Sequence, residues 1–137
     1  MTRILVTGAS GHLGSLVVKH LLETESVPAA SIVAGSRDPS KIADLAALGV
    51  ETRAVDFDKD DALPEAFAGI DRLLIISTDS LDTPGKRAAQ HSAAARAAAK
   101  AGVQRIGYTS IPKPDTSAIS FAWEHRDSEA AIVETGV

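Results

Sequence analysis

The chain has no cysteine among its 137 residues. That absence excludes disulfides, thiolate nucleophiles and zinc sites of the cysteine type, and it fits a reducing compartment. There is no surplus of positive charge either: 14 Lys and Arg stand against 18 Asp and Glu, a net charge of -4. Nothing in that balance attracts nucleic acid or an anionic membrane surface, so neither is expected as a partner. No run approaches the roughly 18 apolar residues of a membrane span. The apolar stretch in the opening MTRILVTGAS is too short for a signal peptide and carries glycine where an apolar core belongs. A cytoplasmic protein is the expectation.

What is present points to an ordinary folded domain. Hydrophobic residues make up 45% and charged residues 23% of the chain, and this length supports one core. Strand-like runs alternate with helix-like segments. RILVTG (3–8) precedes a segment from 12 to 24 in which Leu13, Leu16, Val17, Leu21 and Leu22 recur at helical spacing. SIVAGSR (31–37) precedes a helix over 38–49, with Pro39 and Ser40 as start signals and Gly49 as the stop. ETRAVDF (51–57) leads to a short helix over 62–68, DRLLIIS (71–77) to a long alanine-rich helix ending at Gly102, and QRIGYTS (104–110) to a last helix over 119–134.

Five strands alternating with helices predict an α/β fold, a Rossmann-like, doubly wound parallel sheet joined by right-handed crossovers. ILV and LLII are apolar on consecutive residues, as central strands buried on both faces are, whereas ETRAVDF mixes charge with apolar residues and reads as an edge. The strand order 3-2-1-4-5 satisfies both. LGV (48–50) and AGV (101–103) each close a helix with glycine and open a strand with valine, and the chain ends on TGV (135–137). By that grammar residues 1–137 read as one cofactor-binding domain, the N-terminal portion of a longer architecture. A sixth strand and a C-terminal substrate region are expected to be missing, which would leave one side of the fifth strand unpaired.

Gly8, Gly11 and Gly14 stand at the turn between the first strand and the first helix, where a dinucleotide pyrophosphate meets helix N-terminal amides. Gly8 permits the tight turn, Gly11 the approach of the phosphates, and Gly14 the packing of helix on strand. His12 and Leu13 supply amides. Strand, turn and helix in that order within one crossover unit make the glycine spacing specific for dinucleotide binding. Arg37, at the end of the second strand, has a fork of donors suited to the extra phosphate of NADPH and favours it over NADH, although Asp38 beside it carries the carboxylate typical of NAD sites. Asp56 and Phe57 end the third strand; Asp56 reads equally as an adenine acceptor or as a helix cap. Ser77 and Thr78 end the fourth strand, beside the crevice where the strand order reverses.

ILVTGASGHLG, VAGSRDPSK, VDFDKDD, LLIIST, AAKAGVQRIGYTS and PDTS together resemble the NmrA-like atypical short-chain dehydrogenases/reductases. Within that group they are most similar to the NAD(P)H:quinone oxidoreductases. The resemblance spans essentially the whole chain. It implies cofactor contacts from Gly8, Ala9, Ser10, Gly11, His12 and Leu13, from Arg37, and from the residues after the fourth strand. It further implies that Tyr108, Thr109 and Ser110 approach the nicotinamide. Short-chain dehydrogenases follow the serine of the fifth strand with a tyrosine and a lysine four residues apart; here Ser110 is followed by Trp123 and Asp127, neither of which serves as that acid. Ketone reduction by that route is not expected. A quinone demands less, because aromaticity stabilises the reduced product and water supplies protons.

A small-molecule quinone-type acceptor is therefore the expected substrate, with a homo-oligomer left open. The alternative is a redox-sensing regulator that binds the dinucleotide without turnover, as some NmrA-like proteins do. His125 and Glu129 lie one helical turn apart and read either as substrate contacts, a metal pair or, more commonly, a solvated helix pair. His20 and His91 read as helical surface residues, and no metal is expected.

Overall fold

The computed structural model describes residues 1–137. Five strands, β1 (Ile4–Val6), β2 (Ile32–Ser36), β3 (Glu51–Ala54), β4 (Arg72–Ile75) and β5 (Arg105–Tyr108), alternate with five α-helices. These are α1 (His12–Glu23), α2 (Ala43–Ala47), α3 (Leu63–Ala66), α4 (Lys86–Lys100) and α5 (Ala122–Glu134). All strand pairs are parallel and the order is β3-β2-β1-β4-β5, the Rossmann-like arrangement expected from the sequence.

Alternation along buried strands divides the core in two. Leu5, Val33, Leu73 and Ile75 face one side, where Ala94, Ala98 and Phe67 meet them. Val6, Ile32 and Ala34 face the other, against Val18, Ile42 and Leu45. Ala94 and Ala98 are fully buried, so the small side chains of α4 let that helix lie close to the sheet. The last helix, α5, packs on α4. β3 is an edge, with Glu51 and Ala54 exposed, and β5 pairs with β4 alone.

Several local expectations are corrected. The strands are shorter than the apolar runs because the chain turns out of the ladder at its C-terminal end to build loops. The helix expected over 38–49 is split into a 3-10 turn, Pro39–Ile42, and α2; the break falls at Ile42, whose backbone leaves the helical region (φ -119°, ψ 29°) as its side chain enters the core. The helix expected over 62–68 is the 3-10 turn Asp60–Ala62 followed by the single turn of α3. On α1 the buried stripe runs through Gly14 and Val18, leaving Leu13 and Leu16 49% and 39% exposed.

Candidate functional site

The loops that leave the C-terminal ends of β1, β2, β3 and β4 enclose a cleft of about 280 Å3. It lies at the reversal of strand order, where open α/β sheets hold ligands. Its first wall is the turn from β1 into α1. Gly8 sits at φ +61°, in the left-handed region that favours glycine, and its carbonyl accepts from the Gly11 amide at 3.0 Å. A Cβ on Gly14 would stand 2.2 Å from the Gly8 oxygen, so the helix lies on the strand's exit with room for no side chain. The amides of Ser10, His12, Leu13 and Gly14 donate to no carbonyl of the chain, and α1 has no side-chain cap and no acidic residue in its first turn. That leaves a row of N–H donors and the positive end of a helix dipole at the cleft, a combination suited to an anion.

Gly8, Ser10, Gly11, His12, Leu13 and Gly14 all line the cleft; Ala9 does not. It is fully buried, its N–H donated to Gly35 O at 3.0 Å, so it anchors the turn to β2. Arg37 lines the second wall, exposed and without an ion pair. Asp38 is turned away: its Oδ1 accepts from the Ser40 amide at 3.0 Å and the Ser40 hydroxyl at 2.6 Å, starting the 3-10 turn. Those Ser40 bonds hold its carboxyl below the usual range. The carboxylate that competed with Arg37 in the sequence is thus engaged elsewhere.

Asp56 and Phe57 form the third wall. Asp56 lines the cleft, and its Oδ1 accepts from the Asp58 amide at 3.0 Å within the turn after β3; it caps neither the 3-10 turn Asp60–Ala62 nor α3. Ser77 and Thr78 form the fourth wall together with Ile76, Asp79 and Ser80. Three successive amides there donate to side chains. Ile76 N–H goes to Thr7 Oγ1 at 2.9 Å, Ser77 N–H to Thr109 Oγ1 at 2.8 Å, and Thr78 N–H to His91 Nε2 at 3.1 Å. Ser36, at the end of β2 beside Arg37, also lines the cleft, and so do Val55 and Gln90, which were not anticipated from the sequence. Val55 directly follows β3 and precedes Asp56, so its place at a strand exit was the available signal. For Gln90, in mid-helix, there was none.

The residues expected at the nicotinamide do not line this cleft. Thr109 lies behind it, its hydroxyl also donating to Ser77 Oγ at 3.2 Å. Ser110 Oγ is buried and without a partner. Tyr108 and His125 belong to a polar cluster between β5, α4 and α5, where Tyr108 Oη lies 2.5 Å from His125 Nδ1 and 3.3 Å from His91 Nδ1. His91 and His125 are 1% and 3% exposed, which corrects the reading of His91 as a helical surface residue and of His125–Glu129 as a solvated pair. The reason is that α5 covers the face of α4 that carries His91. Arg87, also buried, lies 5.3 Å from the Phe121 ring centre with Nη2 3.5 Å from His125 Nε2. Burial, then Arg87 and His125, pushes the His91 imidazole down to about 4; burial and Arg87 likewise lower His125. Burial raises the Tyr108 phenol above its ordinary value. At neutral pH the cluster therefore holds two neutral imidazoles and a phenol.

The sequence model of the NAD(P)H-binding family matches residues 8–134. Quinone oxidoreductase 2 of Escherichia coli K12 is 41% identical over 134 residues, covering 98% of this chain and 45% of that protein. An NmrA-like family domain-containing oxidoreductase of Aspergillus flavus is 30% identical over 140 residues, again covering 98% and 45%. Among solved structures, the Citrobacter sp. triphenylmethane reductase complexed with NADP(H) superimposes with a TM-score of 0.92 at 41% identity, covering 98% of this chain and 46% of that one. The chain spans about half the length of the curated relatives it matches. No helix is long and apolar enough to cross a membrane.

Proposed function

The chain belongs to the NAD(P)H-binding family, and on that footing we propose that its cleft binds NADPH in preference to NADH and serves hydride transfer to a quinone-type acceptor. Residues 1–137 act as the cofactor domain. The free amides of Ser10, His12, Leu13 and Gly14 take the pyrophosphate, Arg37 takes the phosphate on the adenosine ribose, Asp56 and Phe57 border the adenine, and Ser77 and Thr78 border the crevice towards the nicotinamide. Of the residues expected at the nicotinamide, Thr109 acts through the Ser77 amide that it holds, while Tyr108, Ser110 and His125 stand outside the cleft and are given no contact with the acceptor.

The observation that carries this reading is the pairing of opposite fates at the end of β2. Asp38 is bound to Ser40 while Arg37 stands unpaired at the cleft, so a bidentate donor, and no carboxylate, meets the ribose. The residues fit the group on local geometry as well: Ser10, His12, Leu13 and Gly14, whose amides have no carbonyl acceptor, line the cleft. When bound, NADPH supplies the hydride. The chain's part is to hold the cofactor by its adenosine half and to keep the β4 exit in place. The similarity to a protein named a quinone oxidoreductase and to a triphenylmethane reductase supports a conjugated, hydride-accepting substrate.

Fluorescence titration with each nucleotide and quinone-dependent loss of nicotinamide absorbance test the reading together. NADPH binding about tenfold tighter than NADH, with turnover of a soluble benzoquinone, is expected. Equal affinities refute the Arg37 assignment. Tight NADPH binding with no oxidation above the uncatalysed rate replaces the oxidoreductase with the dinucleotide-binding regulator.

A further inference from the structure

We propose that His91 is a positioning residue for the cleft: its ring, fixed as the Nδ1–H tautomer between Ser128 and the Thr78 amide, holds the wall that follows β4. This rests on the reading that the cleft takes a dinucleotide.

The tautomer follows from the partners. A backbone N–H only donates, so His91 Nε2, 3.1 Å from the Thr78 nitrogen, presents its lone pair there. The ring is neutral, which puts its proton on Nδ1. That nitrogen lies 2.8 Å from Ser128 Oγ, whose own hydrogen goes to Glu124 O at 2.6 Å, leaving the oxygen free to accept. Both ring nitrogens are thereby matched, and the ring is buried between α4 and α5 where no water competes. The neighbouring helix residue completes the grip. Gln90 Oε1 accepts from the Thr78 hydroxyl at 2.6 Å, while Gln90 Nε2 donates to Asp58 Oδ1 at 3.0 Å. Two consecutive residues of α4 therefore hold the amide and the hydroxyl of Thr78, and one of them also holds the loop after β3 on the opposite wall.

The wall needs such support because its backbone has little of its own. Between Ile76 and Pro84 a single backbone bond forms within the segment, Leu81 N–H to Asp79 O at 2.8 Å. The amides of Ile76, Ser77 and Thr78 rely on acceptors from the residue after β1, the residue after β5 and α4, and of these only the last depends on which ring nitrogen is protonated.

The substitutions His91→Gln and His91→Asn separate this role from packing. Glutamine sets an amide oxygen near the place of Nε2 and keeps an acceptor for Thr78; asparagine reaches only the place of Nδ1 and keeps a partner for Ser128. In His91→Asn the Thr78 amide should exchange with solvent at least about tenfold faster and the NADPH dissociation constant should rise about tenfold. In His91→Gln both should stay within about threefold of wild type. Equal losses in the two variants would reduce His91 to a packing residue and overturn the proposal. Nitrogen NMR of the unmodified protein reads the tautomer directly, so a proton found on Nε2 overturns it even if a variant fails to fold. Should the wild type bind no NADPH, the cofactor reading falls, while exchange and tautomer still decide whether His91 holds Thr78.

Discussion

Replacing Gly14 with alanine is the sharpest test of how the phosphate turn is built. The new Cβ would lie 2.2 Å from Gly8 O, 2.7 Å from Gly8 C and 2.9 Å from Ala9 Cα, all backbone atoms that no rotamer change removes. Relief requires the turn and the helix to part by about 1 Å, the distance back to ordinary contact. Overpacking of this kind costs about 1–3 kcal/mol, against which alanine's better helix propensity returns roughly 1 kcal/mol. Because every clashing atom is backbone, the cost falls at the upper end of that range, and a net loss of about 2 kcal/mol is expected in urea unfolding. The same displacement carries the amides at the start of α1 out of register, so the NADPH dissociation constant should rise by about a hundredfold. Gly11→Val is the matched control: Gly11 has an ordinary backbone (φ -82°), is exposed, and its Cβ would stand 3.3 Å from Gly8 O alone. It should lower the urea midpoint less than Gly14→Ala does and still abolish tight binding, because its side chain enters the space assigned to the pyrophosphate. An unchanged midpoint for Gly14→Ala would refute the close helix–strand contact, and unchanged affinity for Gly11→Val would refute the turn as the pyrophosphate site.

Arg37→Asp should weaken NADPH by at least about tenfold and leave NADH nearly as it was, since only the extra phosphate loses its partner; parallel losses in titration would remove Arg37 from the ribose. Stability should fall with acidity between pH 6.5 and about 4, because the unfolded chain takes up a proton on His91 near 6.5 and the folded ring, desolvated and beside Arg87 and His125, does so only near 4. At about 1.4 kcal/mol per pKa unit that window carries about 3 kcal/mol, so a difference in urea midpoint between wild type and His91→Gln that stays constant from pH 7 to pH 4.5 would contradict it. Ala94→Leu, on the fully buried face of α4 against the sheet, should cost about 1–3 kcal/mol in unfolding free energy; a neutral result would mean that α4 stands further from the sheet than described.

The strand–helix alternation, the parallel order and the tight geometry of the glycine turn are local or periodic properties, and they were legible before any coordinates. Consecutive apolar residues in ILV and LLII mark strands buried on two faces, and the charges of ETRAVDF mark an edge, because burial on each face is imposed residue by residue. The positive φ of Gly8 and the closeness of Gly14 to the turn follow from residue types whose special property is the missing Cβ. Spacing along the chain says nothing of which polar groups meet across it. Asp38 next to Arg37 looked like a rival for the ribose until its carboxylate proved to be bound to Ser40, a choice made by a 3-10 turn. His91, in an alanine-rich helix with Arg96 and Lys100, read as a surface residue because a single helix shows one buried stripe. Here α4 has two covered faces, the sheet on one and α5 on the other, and His91, Tyr108, His125 and Ser128 come together only where β5, α4 and α5 meet. Long-range packing therefore set the protonation state of two histidines and the acceptor for the Thr78 amide, since burial and neighbouring charge, the quantities that govern both, exist only in the folded chain.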